Sequence, residues 1–378
     1  MKKVKLFSLI LSAILLTSCV KASAEASNKK SDTKIQVAIL LDTSNSMDGL
    51  IDQAKSRLWD IVNTLTTLKY KGENPEIEIA LYEYGNNGLS EKSDYIRRVT
   101  PLTTDLDLIS EMLFGLTTNG GLEYCGAVIN EAVKSLEWGL KESDMKLIYI
   151  AGNEEFNQGS ISYKEAISTA LSKGIYVNTI YCGDKESGIR ELWKSGADNG
   201  KGKYFNIDYN AKVRYISTPY DDRISKCNEQ LNATYITYGS MGESKKMNQI
   251  AQDENAKSVS KENYTARTVS KSKKAYKNTS WDLVDKYETE KSVSNIKKSD
   301  LPKDLQNKSE KEIEKIIVEK QKQRMNIQNE INELAKKRQE YIDTESKKAN
   351  SDVADDLGKA INASVLSFAK IKGYSIEL

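Results

Sequence analysis

The sequence contains no histidine among its 378 residues, and this absence excludes several classes of chemistry. Ser-His-Asp and Cys-His catalysis, histidine-containing zinc sites and the helical HExxH protease motif all require an imidazole side chain. An enzyme built from this chain would have to use carboxylates, lysine, tyrosine or a bound metal ion. The chain also lacks an excess of one charge, because 56 basic residues face 54 acidic ones. Its total charge therefore gives no indication of nucleic-acid binding.

The first 18 residues have the pattern of an export signal rather than of folded structure. Three lysines precede the apolar run LFSLILSAILL, which is too short to span a bilayer comfortably. The run ends in Leu-Thr-Ser-Cys, which resembles the bacterial lipobox, whose cysteine receives a lipid. An ordinary signal peptide with a chance cysteine is the alternative. We therefore expect residues 1–18 to be removed, Cys19 to be lipidated and residues 19–33 to form a flexible tether.

No later segment is apolar enough to cross a membrane, so the lipid on Cys19 would be the attachment. The predicted localisation is accordingly the bacterial cell envelope, with the protein exported and anchored to a membrane. A lipobox is compatible with a Gram-positive surface and with a Gram-negative envelope, and both stay open.

Residues 34–215 alternate between strand-like and helix-like patterns. The run IQVAILL is apolar throughout, as expected for a strand buried on both faces. The segment that follows it repeats apolar residues at the spacing of one helix face. Three later runs, IEIALYEYG, MKLIYIAG and IYVNTIYCG, are also strand-like and are separated by helix-like segments. This alternation predicts an α/β fold with a Rossmann-like, doubly wound, mostly parallel sheet.

The composition changes after residue 215. Residues 216–308 are polar and rich in lysine, and we expect them to pack on the first domain or to link from it. Residues 309–345 place apolar or long side chains at alternating steps of four and three, which is typical of a coiled-coil seam. Residues 346–378 are expected to form a final helix. The seam would pack either on that helix, as a hairpin, or on a second protein.

The clearest functional motif lies where the first predicted strand ends. Asp42, Ser44 and Ser46 form the pattern D-x-S-x-S directly before an amphipathic helix. In a loop of this kind, side chains two residues apart can converge on one point. Carboxylate and hydroxyl oxygens are the ligands that Mg²⁺ prefers. The sequence therefore predicts a site for Mg²⁺, or for Mn²⁺ in its place, at the carboxyl edge of the sheet.

With this motif between a buried strand and a helix, the chain resembles a von Willebrand factor A (VWA) domain with a metal-ion-dependent adhesion site. The resemblance covers about residues 34–207. It implies a Rossmann-like sheet with the metal on its upper edge and a role in binding rather than in catalysis. It also implies a protein partner whose acidic side chain completes the coordination of the metal.

The resemblance implies a threonine ligand from a second loop, and this chain departs from that pattern. Thr117 and Thr118 both offer a hydroxyl, and Thr118 is preferred as a neutral ligand. Alignment on the Gly-Ala pair before the next helix instead places Glu123 where the family has its threonine. Glu123 would add negative charge to the site.

The third loop departs further from the family. Gly152 stands where the resemblance implies an aspartate, so Asn153, Glu154 or Glu155 would have to serve, unless Glu123 substitutes. A degenerate site that holds metal weakly is the alternative. The predicted metal ligands are Asp42, Ser44, Ser46, Thr118, Glu123 and Asn153.

Cys125 lies on the second loop and Cys182 ends a predicted strand. Both are expected at the carboxyl edge of the sheet, so a disulfide between them is geometrically reasonable in an exported protein. Two reduced thiols are the alternative, and Cys227 is expected to be free.

These features predict a membrane-tethered, divalent-cation-dependent protein-binding module for adhesion or complex assembly, and not an enzyme. The alternative is a structural lipoprotein that acts through residues 309–345 and has a degenerate metal site. A metal-assisted hydrolase with Glu123 or Glu154 as general base is a third hypothesis, but no activated nucleophile is recognisable. The expected partners are a protein with an acidic side chain, the membrane and, if residues 309–345 self-associate, a second copy. No nucleic acid is expected.

Overall fold

The protein is represented by a computed structural model, which describes residues 33–211, 213, 215–348 and 357–377. The predicted signal peptide and Cys19 lie outside the described residues, as does the tether apart from its last residue, Thr33. The described part of Ser31–Leu378 belongs to one compact unit. None of the described helices is both long and apolar enough to span a bilayer.

The centre of the fold is a six-stranded sheet. Its strands are β1 (Lys34–Asp42), β3 (Glu76–Tyr84), β4 (Ile96–Thr103), β5 (Met145–Gly152), β6 (Ile175–Cys182) and β7 (Lys201–Ile207). They lie in the order β4-β3-β1-β5-β6-β7. Five strands run parallel, and the edge strand β4 is antiparallel to β3. The predicted doubly wound, mostly parallel sheet is confirmed.

Helices cover both faces of this sheet and create two hydrophobic layers. One layer contains α1 (Asp48–Thr66), α2 (Leu106–Phe114) and α12 (Leu357–Ile371). The other contains α3 (Cys125–Ser135), α4 (Tyr163–Ser172), α5 (Lys185–Arg190) and α6 (Trp193–Asn199). Because β1 and β5 lie between the layers, nearly all of their side chains are buried, which explains their continuous apolar runs.

The segment after the sheet is helical and packs on the first layer. It contains α7 (Asp221–Asn232), α8 (Gly242–Val259), α9 (Lys261–Lys271), α10 (Leu283–Glu290) and α11 (Glu310–Lys348). Short 3₁₀ turns occur at Asn45–Met47, Glu91–Ser93 and Lys298–Asp300. A separate antiparallel pair joins β2 (Leu68–Tyr70) to β8 (Tyr374–Ile376) at the amino end of the parallel strands.

The seam of the long helix α11 packs on other helices of the same chain, but not on the final helix, as the predicted hairpin would require. Ile317, Arg324 and Ile331 of α11 are buried, and α11 packs on α7, α9 and α10. The predicted hairpin between this helix and the final helix is wrong, because α12 packs on α1 and on the sheet. The periodicity of α12 shows that one of its faces is apolar, and such a pattern does not say which element covers that face.

Candidate metal-binding site

Asp42 ends β1 with a fully buried side chain. Its Oδ1 accepts a hydrogen bond from the backbone N–H of Ser44, at 2.8 Å. Within the described part of the chain, neither Asp42 Oδ2 nor the buried Ser44 Oγ has a hydrogen-bond partner. Buried polar atoms are nearly always hydrogen-bonded in proteins. Two unpaired oxygens on residues two apart therefore indicate a binding site for a ligand at the end of β1.

A third unpaired oxygen comes from the loop after β5. Asn153 Oδ1 is buried and finds no partner among the residues that the structure describes. The amide group of the same side chain donates to Ser46 Oγ at 3.4 Å, which ties this loop to the first one. Ser46 itself is exposed and lies in the 3₁₀ turn after Ser44. The two loops thus present an outer hydroxyl and three inner oxygens.

Glu123 lies beside Asp42 because a neighbouring glycine, Gly85, has no side chain to fill the space next to the two carboxylates. Gly85 follows β3, the neighbour of β1, and has a positive φ of 78°. A Cβ on Gly85 would lie 2.9 Å from Asp42 Oδ1 and 2.8 Å from Glu123 Cγ. Both carboxylates therefore border one small volume, and Glu123 is only 7% exposed. Any larger residue at position 85 would occupy the space beside them.

The two carboxyl groups are held in a setting that favours protonation. Burial raises the pKa of Asp42 to about 7, and the charge of Glu154 adds to this while the N–H of Ser44 opposes it. Burial also raises the pKa of Glu123 to about 8, and the neighbouring charge of Asp42 raises it further. A cation between two such carboxylates would remove their repulsion and replace their lost hydration.

Thr118 is already engaged with a different residue. Its hydroxyl donates to Asp48 Oδ1 in the first turn of α1. Thr117 is exposed, and its backbone carbonyl accepts from the side chain of Asn86. Of the second-loop candidates, the structure therefore brings Glu123 beside Asp42 and pairs Thr118 with another carboxylate.

Gly152 is required by Tyr84, a buried tyrosine whose role no local sequence pattern indicates. A Cβ on Gly152 would lie 2.5 Å from Tyr84 Oη and 3.1 Å from Asp42 Oδ2. The Tyr84 hydroxyl is fixed, because it donates to the carbonyl of Ala151 at 3.0 Å. An aspartate in this position has no room. Glu154 and Glu155 nearby are exposed, and Glu154 acts on the site only through its charge.

We expect Gly152→Ala to destabilise the protein by about 1–3 kcal/mol, the usual effect of overpacking a filled core. The added methyl group would collide with Tyr84 Oη, and the fully buried Tyr84 ring cannot move aside. Urea unfolding measures the change. Tyr84→Phe combined with Gly152→Ala should recover part of the loss. As a control, Gly115→Ala adds a Cβ no closer than 3.5 Å to other atoms and should change stability little.

The predicted disulfide between Cys125 and Cys182 is wrong. Both cysteines are free and buried, and Cys227 is free as predicted. Cys125 packs in the layer of α3 and α4, whereas Cys182 packs in the opposite layer with Ile180. Because the two side chains belong to different hydrophobic layers, the fold does not pair them. Burial raises the pKa of both thiols, so neither is a ready nucleophile.

The described residues contain no cluster of three or more Cys, Asp or Glu side chains that could hold a metal ion by themselves. Any cation at Asp42 would therefore depend on hydroxyl and amide oxygens together with two carboxylates. This donor set is suited to a hard cation such as Mg²⁺ or Mn²⁺ rather than to a thiolate-binding metal.

No protein-family model matches the chain, and no curated protein matches it. The solved structures named below each match less than half of it. BatB, a conserved hypothetical protein from Bacteroides thetaiotaomicron, is 20% identical over 46% of this chain and 90% of its own, with a TM-score of 0.35. The VWA domain of SpRpn10 is 16% identical over 47% of this chain and 90% of its own, with a TM-score of 0.35.

A third similar structure is proximal thread matrix protein 1 from the mussel byssus, described with a zinc-occupied MIDAS motif. It is 16% identical over 46% of this chain and 41% of its own, with a TM-score of 0.35. Similarities this remote say nothing about function, which has to be inferred from the geometry of the site.

Proposed function

We propose that this protein binds a divalent cation at the carboxyl end of β1 and uses the cation to bind a protein partner. The observation that carries the proposal is the set of three buried oxygens without hydrogen-bond partners among the described residues. They are Asp42 Oδ2, Ser44 Oγ and Asn153 Oδ1. All three can accept a bond from a donor or coordinate a hard cation.

The charges near these oxygens fit a divalent ion. Asp42 and Glu123 together supply two negative charges, which match the charge of Mg²⁺ or Mn²⁺. We assign Asp42, Ser44, Glu123 and Asn153 as the residues that would hold the ion. Ser46 and Thr118 would first have to leave Asn153 and Asp48, their present partners. The ion would supply a positive centre for an incoming oxygen, and the chain's own residues would fix its position.

The surface around the site is suited to a protein partner. Ser46 and Glu154 are exposed at the mouth of the site, and Leu122 beside Glu123 is 47% exposed. An acidic side chain of the partner could reach the ion from this side, while apolar groups next to it would cover Leu122. The site also supports binding rather than catalysis, because the nearby thiols of Cys125 and Cys182 are buried with raised pKa values and so are not ready nucleophiles.

We further propose that the protein is exported and tethered to a membrane through lipid on Cys19. The support is the lipobox-like sequence after the apolar run. Metabolic labelling with a radioactive fatty acid tests this part, with Cys19→Ser as the unlabelled control. The structural alternative, association through residues 309–345, has less support because the seam of α11 is covered by α7, α9 and α10.

Titration calorimetry of residues 31–378 with Mg²⁺ and Mn²⁺ tests the metal site. Zn²⁺, which occupies the motif of the mussel neighbour, is a useful third ion. We expect saturable binding by the wild type and loss of that binding in Asp42→Ala. Asp52→Ala, an exposed aspartate on α1, is the matched control and should bind normally. Equal binding by Asp42→Ala, or no binding by the wild type, would contradict the metal proposal.

The partner is tested by crosslinking in intact cells that produce the tagged protein. A specific crosslinked product should form with metal present and should disappear with a chelator and in Ser44→Ala. Ser44→Ala removes one unpaired oxygen without adding volume, so the fold should be kept. A product that forms equally in Ser44→Ala would show that the contact does not use the cation.

A further inference from the structure

The end of the sheet opposite the metal site carries a different surface. Helix α1 starts beside the metal loop, and its 19 residues span roughly 28 Å, so that β2 lies at the other end of the molecule. The chain also enters the fold there, since the carbonyl of Thr33 accepts from the N–H of Glu76 at 2.9 Å. Strand β8 is fixed beside this entry, because the Tyr374 hydroxyl donates to the carbonyl of Ser143 at 2.8 Å.

Lysines from four distant parts of the sequence gather at this end. Lys69 lies on β2, Lys273 and Lys274 follow α9, Lys336 lies on α11, and Lys372 precedes β8. The hydrogen bond from Ser272 to Asn332, at 3.1 Å, holds the end of α9 against α11. We call these five residues the basal lysine surface.

Most of these charges have no counter-ion in the part of the chain that the structure describes. Among the described residues, no carboxylate is within salt-bridge distance of Lys273, Lys274 or Lys336. Lys69 donates a hydrogen bond to the Asn74 side chain, and its ion pair with Glu377 is long, at 3.9 Å. The ammonium group of Lys372 donates to a backbone carbonyl, that of Glu142.

The pKa of Lys273 shows that this arrangement of charges is unfavourable. Burial lowers the pKa of Lys273, and the charges of Lys336 and Lys69 lower it further. The pKa of Lys69 is lowered by burial and by the charge of Lys274, with Glu377 opposing. Mutual repulsion among partly buried lysines disfavours the folded state, unless an external anion compensates for it.

We propose that the basal lysine surface docks the protein on an anionic phospholipid membrane. The chain enters the fold at this same end, and the cysteine expected to carry the lipid lies shortly before that entry in the sequence. We therefore infer that the lipid would keep a membrane within tether length of this end of the sheet, and the metal site lies at the opposite end. The choice of a membrane as the ligand rests on the tethering part of the proposed function, and it is independent of the metal site.

Several lysines near an anionic bilayer bind it additively, and each contributes a several-fold increase in partition. The contact should weaken at high salt, because the screening length shortens from about 10 Å at 0.1 M to about 3 Å at 1 M. The lysines would not need to insert into the bilayer. They would restrict the orientation of a protein that the lipid already holds nearby.

The test is co-sedimentation of residues 31–378, which lack the lipid, with phospholipid vesicles in the presence of EDTA. One set of vesicles contains equal parts of phosphatidylglycerol and phosphatidylcholine, and the other contains only phosphatidylcholine. The variant carries Lys273→Gln, Lys274→Gln and Lys336→Gln, three lysines without a salt bridge among the described residues. The control carries Lys92→Gln, Lys164→Gln and Lys185→Gln, which are exposed and lie at the metal end.

We expect the wild type and the control to bind the anionic vesicles and not the neutral ones. The variant should bind at least about tenfold more weakly, given the contribution of each lysine. It should also unfold at a temperature no lower than the wild type, because removing repulsion does not destabilise the fold. Equal binding by variant and control, or no binding by the wild type, would overturn the proposal.

Two further arms separate the alternatives. Loss of vesicle binding in millimolar inorganic phosphate, at constant ionic strength, would show that the lysines bind free phosphate and would overturn the membrane assignment. The use of EDTA makes the result independent of cation binding. Failure of fatty-acid labelling at Cys19 with intact vesicle binding would remove the lipid tether and leave the docking surface in place.

Discussion

Arg267→Ala is expected to lower the free energy of unfolding by about 3–5 kcal/mol, the range found when one partner of a buried ion pair is removed. Arg267 on α9 is completely buried. Its guanidinium donates to Asp107 of α2 at 2.8 Å and to Asp253 of α8 at 2.5 Å. It also stacks on the ring of Trp59 in α1, at 4.6 Å. Its removal would leave two buried carboxylates short of a cation.

The remaining charges could not compensate for this loss. Burial alone would raise the pKa of Asp253, but Lys271 and Arg267 outweigh it and hold that pKa well below its usual range. Lys271 would stay beside Asp253, and burial has already lowered the pKa of Lys271 to about 8. Among the residues that the structure describes, Asp107 would keep only the hydrogen bond from the Tyr276 hydroxyl, at 2.5 Å. We therefore expect the variant to be markedly less stable at neutral pH.

Urea unfolding followed by circular dichroism measures this effect. Arg223→Ala is the control, because it breaks an exposed pair with Glu330 and should change stability by at most about 1 kcal/mol. Since Arg267 joins α8 and α9 to α1 and α2, the wild type should unfold in a single transition. A loss below about 1 kcal/mol in Arg267→Ala would show that the buried network adds little to stability.

The sheet could be predicted from the sequence because its signals are local. The run before Asp42 is apolar at every position, and this pattern alone indicates a strand between two layers. The helical segment was harder, because its packing is determined by distant residues. The apolar side chains of Ile361 and Phe368 predict a helix face, but their contact with α1 and the sheet follows from the tertiary fold. The spacing likewise places Arg324 in the seam, but it does not identify Asp282, to which Arg324 donates at 2.7 Å in the interior, as the partner.

The candidate site likewise combines residues that the sequence indicates with residues that only the fold brings together. Asp42 and Ser44 can be recognised from the sequence because of their spacing at a strand end. Tyr84 and Gly85 cannot be recognised in this way, because their role depends on β3 lying next to β1, with Tyr84 opposite Asp42 in the sheet register. The cysteines show a related limit. Alternation along β6 places Ile180 and Cys182 on one face, but the sequence does not say that α3 covers the other.

In the absence of metal, Asp42→Asn is expected to be more stable than the wild type at alkaline pH, although it removes a residue of the proposed site. Burial raises the pKa of Asp42 from 3.8 to about 7 and that of Glu123 from 4.5 to about 8. Between about pH 4 and pH 8 the folded protein therefore holds more protons than the unfolded one. Its free energy of unfolding falls as the pH rises through this range.

The size of the effect follows from the shift at Asp42. Each pKa unit corresponds to about 1.4 kcal/mol, so ionising the buried Asp42 costs up to about 4 kcal/mol above pH 7. The amide introduced by Asp42→Asn carries no charge and avoids that cost, and Glu123 then also ionises more easily because a neighbouring charge is gone. We expect the two proteins to differ little near pH 5 and to differ most above pH 8.

Thermal unfolding in EDTA across this pH range, followed by the same series with Mg²⁺ or Mn²⁺, measures the effect. Added cation should restore the stability of the wild type above pH 7, because an ion that binds only the folded state stabilises it. It should leave Asp42→Asn unchanged. Asp52→Asn, with an exposed carboxylate, should follow the wild type in both series. Parallel curves for wild type and Asp42→Asn would mean that ionisation of Asp42 does not destabilise the folded protein. The strand end would then need no cation to compensate for that charge.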